Sequence, residues 1–389
     1  MVDLVKWSLL LSYYTGRFTG VLNFEMDFKT GRVRKTKRAT ISAAVANLVM
    51  LYLYSQILDR QLVAKVWIKT NTLQDTLFRF MMDVRMVCVF LSLASRWCLR
   101  RRFMWLFKSV CQIYLRHPDL VQYCRRSIVS KCFGATMFGV LQMTMILFVA
   151  SNQLTVRLAL RIFSIISITY TINVIITQYF IAMAIIRARY GTLAKELQSI
   201  LAESASLVPN EGETFVTKCC HLADELEKIA RAQSHLQTIT ERISTTYTVQ
   251  IICLISTNYL NMVGNVYLMF SLSKYKALTA SLPKLAILNT IAFVVFYYLD
   301  SWLNVFNVFY LIDSHNRMVK LLNQWTLVRP GMHPRLETAF ENFTLSLARN
   351  PFKLTCFGLF NIDRLGAFAV CNSLIMHSIL LILYDVQHF

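Results

Sequence analysis

The chain has 389 residues, of which 56% are hydrophobic and 16% charged, with a mean hydropathy of +0.46 and a formal net charge of +20. A soluble protein of this length carries nearer about 25% charge, and here the apolar residues gather into runs near twenty residues, which a bilayer requires and a soluble core does not. The composition defines an all-α integral membrane protein; nucleic-acid binding is set aside, because a DNA binder has no use for such runs.

Residues 1–40 form a basic arm ending in G-R-V-R-K-T-K-R. Next to a membrane such a run favours the cytosolic, anionic leaflet. W-S-L-L-L-S-Y-Y lies within the first twenty residues, but no small-residue cleavage site follows it, so no signal peptide is assigned.

Residues 41–312 carry six expected spans, at about 41–58, 76–98, 132–151, 158–186, 247–271 and 285–312. The second holds Arg79, Asp83 and Arg85 in its first half. Arg79 and Asp83 are four apart, on one helical face, and can pair. A bare charge at mid-bilayer costs about 2.5–3.5 kcal/mol, so such a pair faces a wet interior, either beside a ligand or as a register contact between helices. The fourth span is longer than the bilayer needs and is expected to tilt or protrude.

The connector 187–246 is polar, with Leu222, Leu226, Ile229, Leu236, Ile239 and Ile243 forming one apolar stripe. The stripe runs into the fifth span without a breaker, and it packs either within one chain or at a subunit interface. Asn258, Asn261 and Asn265, with Tyr259 and Tyr267, give the fifth span an amphiphilic outer half. Residues 313–364 form a second cytosolic connector, in which Leu336, Phe340, Phe343 and Leu347 mark an anchor helix. Residues 365–389 make the seventh span, where His377 stands alone with a packing or helix-contact role.

All six prolines fall in connectors. Of the 41 basic residues, 30 lie in the arm and in connectors 2/3, 4/5 and 6/7, against 7 in the other three. The positive-inside rule then puts the amino terminus in the cytosol and the carboxyl terminus outside. A G-protein-coupled receptor has the reverse orientation, and D-R-Y, N-P-x-x-Y and an outer cysteine pair are missing. A secondary transporter would show repeated halves or broken helices. Enzyme chemistry lacks convergent residues: Asp300 has no partner aspartate, the histidines are scattered, and no H-E-x-x-H or phosphate loop occurs. The ten cysteines show no C-x-x-C pair and are read as reduced packing residues; no metal or other cofactor is expected. Asn342-Phe-Thr344 is an N-glycosylation sequon that this topology leaves in the cytosol and unmodified.

The inside amino terminus, seven spans, long 4/5 and 6/7 connectors and the sequence F-G-L-F-N-I-D-R before a last helix resemble the insect gustatory receptors. The family ending, T-Y, five hydrophobic residues, then Q-F, is degenerate here. In the register that keeps the helix apolar, Met376 and His377 replace T-Y, while Leu383 and Tyr384 replace Q-F; in the other, Gln387 keeps the glutamine and Asp385 falls among the hydrophobic positions. The resemblance implies a tetrameric, tastant-gated, non-selective cation channel in the plasma membrane of sensory neurons, a homo- or hetero-tetramer with other gustatory receptors, with a lean toward bitter or aversive compounds. It also implies that Ile379, Leu380, Leu383, Tyr384 and Gln387 belong to the pore or gate, and that cytosolic anchor helices join the subunits. From topology, the pocket candidates are Arg79, Asp83, Gln142, Asn261, Asn265, Tyr267 and Asn289, although ordinary interhelical hydrogen bonding also accounts for such residues.

Overall fold

The computed structural model describes the chain except residues 1–3, 56–71, 151–154, 208–211, 276–283, 327–332, 357–359 and 389. The basic arm is ordered: helix α1 (Leu4–Phe18) is followed by an antiparallel hairpin, β1 (Glu25–Asp27) and β2 (Arg32–Arg34). Its turn is built by Asp27, whose carboxylate accepts from the Lys29 amide and the Thr30 hydroxyl, and by Gly31 at φ +66°, a conformation that glycine adopts without a Cβ clash.

Then come α2 (Lys37–Ser55), α3 (Thr72–Cys98), α4 (Arg100–Arg116), α5 (Leu120–Ala150), α6 (Val156–Ser206), α7 (Glu213–Thr246), α8 (Thr248–Lys274), α9 (Lys284–Thr326) and α10 (Pro334–Arg349). The two-residue strands β3 (Thr355–Cys356) and β4 (Phe360–Asn361) pair before the last helix, α11 (Arg364–His388). By length and composition, five helices among the described residues can cross a membrane: the stretches Leu120–Met145, Ile162–Ser206, Thr248–Lys274, Lys284–Gln324 and Arg364–His388. Helices α2 and α3 fall on the first two expected spans, and α3 is continuous through Arg79, Asp83 and Arg85.

Two spans run far past the bilayer. With 51 residues, α6 extends about 75 Å against a hydrocarbon core of about 30 Å. No proline occurs in it to stop the helix. The excess of α6 and α9 joins α4, α7 and α10 in a helical base at one end of the bundle, termed basal below.

The main core lies in this base. Leu222, Leu226, Ile229, Leu236, Ile239 and Ile243 of α7 are all buried against α6 and α10, so the stripe packs within the chain. Leu336, Phe340, Phe343 and Leu347 of α10 are buried as well, as their four-three-four spacing requires. Burying each such side chain from water is worth about 1.5–3 kcal/mol, so a charge at Leu226 would open the base. A smaller core joins α2, α3 and α6 through Leu53, Tyr54, Val89 and Ile168. Tyr247 sits alone between α7 and α8, its ring against Phe103, Tyr179 and the Arg96 guanidinium. This junction hands the base on to α8.

Candidate ligand site and pore helix

Helix α8 has two polar faces. Asn258, Asn261 and Asn265 are spaced by three and four and share one face; Tyr259, Tyr267 and Lys274 are spaced by eight and seven and share another. The first face looks into the bundle. Arg85 of α3 donates to Asn261 Oδ1 at 2.6 Å and reaches Thr169 Oγ1 of α6 at 3.5 Å. Gln142 of α5 donates to the same threonine at 3.2 Å, and Tyr297 of α9 donates to Asn258 Oδ1 at 3.0 Å. Five helices thus converge on one buried polar cluster. Close approach of α3 and α8 is possible because Gly264 has no side chain: a Cβ there would come within 2.5 Å of the Met81 sulfur.

The expected pocket residues divide among four settings. Gln142 and Asn261 belong to the cluster, and Asn265 is buried on the same face of α8. Asn289 joins α9 to α5, accepting from Thr144 and donating to the Leu141 carbonyl, both at 3.0 Å. Arg79 and Asp83 are exposed on α3, and the charge that turns inward is Arg85, two residues beyond. Sequence reasoning placed Arg85 in the span but not in the site; its separation from Asp83 by two positions, and so to another face, was the available signal.

Tyr267 serves the second face of α8. It donates at 2.8 Å to Asp385 of α11, a carboxylate with no solvent exposure that also accepts from Lys274 at 3.0 Å and Tyr275 at 2.9 Å. Lower on the same helices, the Tyr259 hydroxyl lies 2.9 Å from Ser373 Oγ and 2.8 Å from His377 Nδ1. His377 is thus a helix-contact residue. Apart from these ties α11 is little covered: only Ser378 and Asp385 are buried. Ile379, Leu380, Leu383, Tyr384 and Gln387 are all exposed on this chain.

A second tie fixes the basal half. Lys131 of α5, 1% exposed, donates to both oxygens of Asp300 of α9 at 2.7 and 2.6 Å. Each ion offsets the desolvation of the other, so the pair locks two helices in register. An apolar cleft between α1, α4 and α6 reaches Gln178 and Tyr247, but its volume of about 70 Å³ holds only about two waters and excludes a small organic ligand.

This membrane bundle, whose last helix packs chiefly on α8 and is tied to α9 by the Arg364–Asp313 ion pair at 2.6 Å, matches a known class in sequence. The family model described as "7tm Chemosensory receptor" matches residues 9–388. Among curated relatives, gustatory receptor 59d of Drosophila melanogaster is 50% identical over the whole of both chains, and gustatory receptors 36c and 36b of the same species are 31% and 30% identical over the whole of both. The chain belongs to the insect gustatory receptor family of chemosensory receptors, which are not enzymes. Its fold is shared with the insect olfactory receptor OR5 of Machilis hrabei: TM-score 0.63 at 11% identity, covering 98% of each chain. The same receptor in complex with eugenol gives a TM-score of 0.64 at 12% identity, covering 98% of this chain and 99% of the other.

Proposed function

We propose that this chain is a subunit of a tastant-gated, non-selective cation channel in the plasma membrane of sensory neurons, responding to bitter or aversive compounds. It assembles as a tetramer with copies of itself or with other gustatory receptors, its amino terminus in the cytosol and its carboxyl terminus outside. The observation that carries this reading is the double role of α8, whose asparagine face meets the buried cluster while its tyrosine face holds α11. The exposed apolar length of α11 supports assembly around that helix. The olfactory receptor of the same fold has been solved with eugenol, which supports a small-molecule ligand here too.

In this mechanism a ligand enters the bundle on the side of α8 away from α11 and offers Arg85 a new acceptor in place of Asn261. Released, α8 shifts and takes with it the tyrosines that hold α11. A hydrogen bond to a charged group is worth about 1.5–3 kcal/mol, less than the ~5.5 kcal/mol that takes a two-state gate from 1:99 to 99:1. Four subunits moving together exceed it, so the tetramer supplies what one site lacks. Whole-cell recording with a panel of bitter compounds, with G proteins blocked through the pipette, tests the reading. Prompt cation currents are expected; responses that vanish with the block would overturn it.

A further inference from the structure

The start of α2 and the end of α3 meet at the same end of the bundle. There, Lys35, Thr40, Trp97, Arg100, Arg101 and Arg102 line a cup of about 660 Å³, inside the range of about 300–1,000 Å³ of small-molecule sites. Four of its lining residues are cations and none is a carboxylate. Lys35, Arg101 and Arg102 are exposed and form no ion pair among the described residues, and the neighbouring Lys37 and Arg38 are exposed as well. Arg100 is different: it is 9% exposed, and one nitrogen donates to the Asn23 carbonyl and the Thr40 hydroxyl. Its Nε is buried with no hydrogen-bond partner. Four cations gathered without a carboxylate repel one another, and an anion in the cup relieves that repulsion.

We propose that this cup binds the headgroup of a polyphosphorylated inositol lipid. Multiple phosphate charges match the number of cations, which a single-charge headgroup does not. The source is the bilayer because the cup opens where α2 and α3, which fall on the first two expected spans, reach the same end of the bundle, with Trp97, a residue type favoured at the interface, in its wall. That the lipid belongs to the cytosolic leaflet rests on the orientation proposed above.

Cys98, exposed in the wall of the cup, gives the readout. Purified full-length receptor in detergent is alkylated with maleimide, resolved by peptide mass spectrometry, with dioctanoyl phosphatidylinositol bisphosphate, dioctanoyl phosphatidylserine or free inositol trisphosphate present. The inositol lipid is expected to protect Cys98 at concentrations at least about tenfold below the other two. Arg101→Gln with Arg102→Gln is expected to weaken protection about thirtyfold, from about 1 kcal/mol per cation. Lys35→Gln, on another element, is expected to weaken it about fivefold and stands in if the double variant fails to fold. Equal protection by inositol trisphosphate would overturn the lipid source, and equal protection by phosphatidylserine the polyphosphate match. Unchanged protection in the folded variants would overturn the site itself. Detergent exposes both faces, so these results do not depend on orientation; labelling of Cys98 from outside intact cells would sink the orientation alone.

Discussion

Asn261 accepts a hydrogen bond from Arg85 at 2.6 Å, while Tyr259, two residues before it on α8, meets His377 of α11 at 2.8 Å. Two residues on a helix turn by about 200°, so one rigid segment carries a bundle contact on one side and a contact with the last helix on the other. In the proposed mechanism, motion of α8 reaches α11 through the two tyrosine ties.

The Asp385 clamp is expected to hold the closed state. Asp385→Asn keeps an acceptor for the tyrosines but loses the charge that Lys274 faces, a change of about 1–3 kcal/mol for a charge-assisted bond. The variant should show raised current without ligand, and Lys274→Met added to it should not raise that current much further. A basal current equal to wild type at equal surface expression would show that the clamp does not bear on the gate.

The pair Lys131–Asp300 should behave as a buried salt bridge. Asp300→Leu leaves Lys131 buried without a counter-ion and should cost about 3–5 kcal/mol, seen as loss of surface expression and a lower melting temperature in detergent. Lys131→Met combined with Asp300→Leu should recover most of that loss. If the double variant is as unstable as the single, the charge pair is not what joins α5 and α9.

Acid should loosen the junction of α4 and α5. Burial first, and the Arg189 charge second, hold His117 below the usual imidazole range. Its folded value is depressed, so on acidification the unfolded chain takes the proton first; stability is present above about pH 6.5, falls as pH drops below it, and levels off beneath the folded value. The melting temperature of purified receptor should drop between neutral and mildly acidic buffer, and His117→Asn should flatten that dependence. An unchanged slope in the variant would assign the acid effect elsewhere.

Asn342 tests the orientation. Its side chain is exposed on α10, so a glycan on it is compatible with the fold. With the helical base in the cytosol, endoglycosidase treatment should not shift the protein on a gel. A shift abolished by Asn342→Gln would place the base outside the cell.

Much of this was legible in the chain. The apolar stripes of α7 and α10 depend only on local periodicity, and all ten of their residues are buried as their spacing requires. Helices α6 and α9 continue past the expected spans at 158–186 and 285–312, because a span is bounded where apolar residues give out, whereas a helix ends where its backbone is broken or capped. Helix α1 and its hairpin lie in the stretch read only for its charge and for a signal peptide. The pairings were illegible for a different reason: Lys131 and Asp300 are 169 positions apart, and Arg85 and Asn261 are 176 apart. Arg85 lies on another face of α3 from Asp83, and the packing of α3 on α6 and α8 gives it the partners Thr169 and Asn261. A depth argument was still available for one of them, since Asp300 in the inner half of its span calls for a cation at the same depth, and Lys131 stands there.

The central claim is that α11 walls a ligand-opened pore, and cysteine substitution along it tests that claim most directly. Ile379→Cys, Leu383→Cys and Gln387→Cys are expressed singly, with Leu288→Cys on the exposed face of α9 as the comparison, and tastant-evoked currents are recorded before and after a charged thiol reagent. The account predicts that the reagent changes the current at one or more of the α11 positions, faster while tastant is present, and leaves the α9 variant as unaffected as wild type. Ligand-evoked currents indifferent to the reagent at all three α11 positions would contradict it.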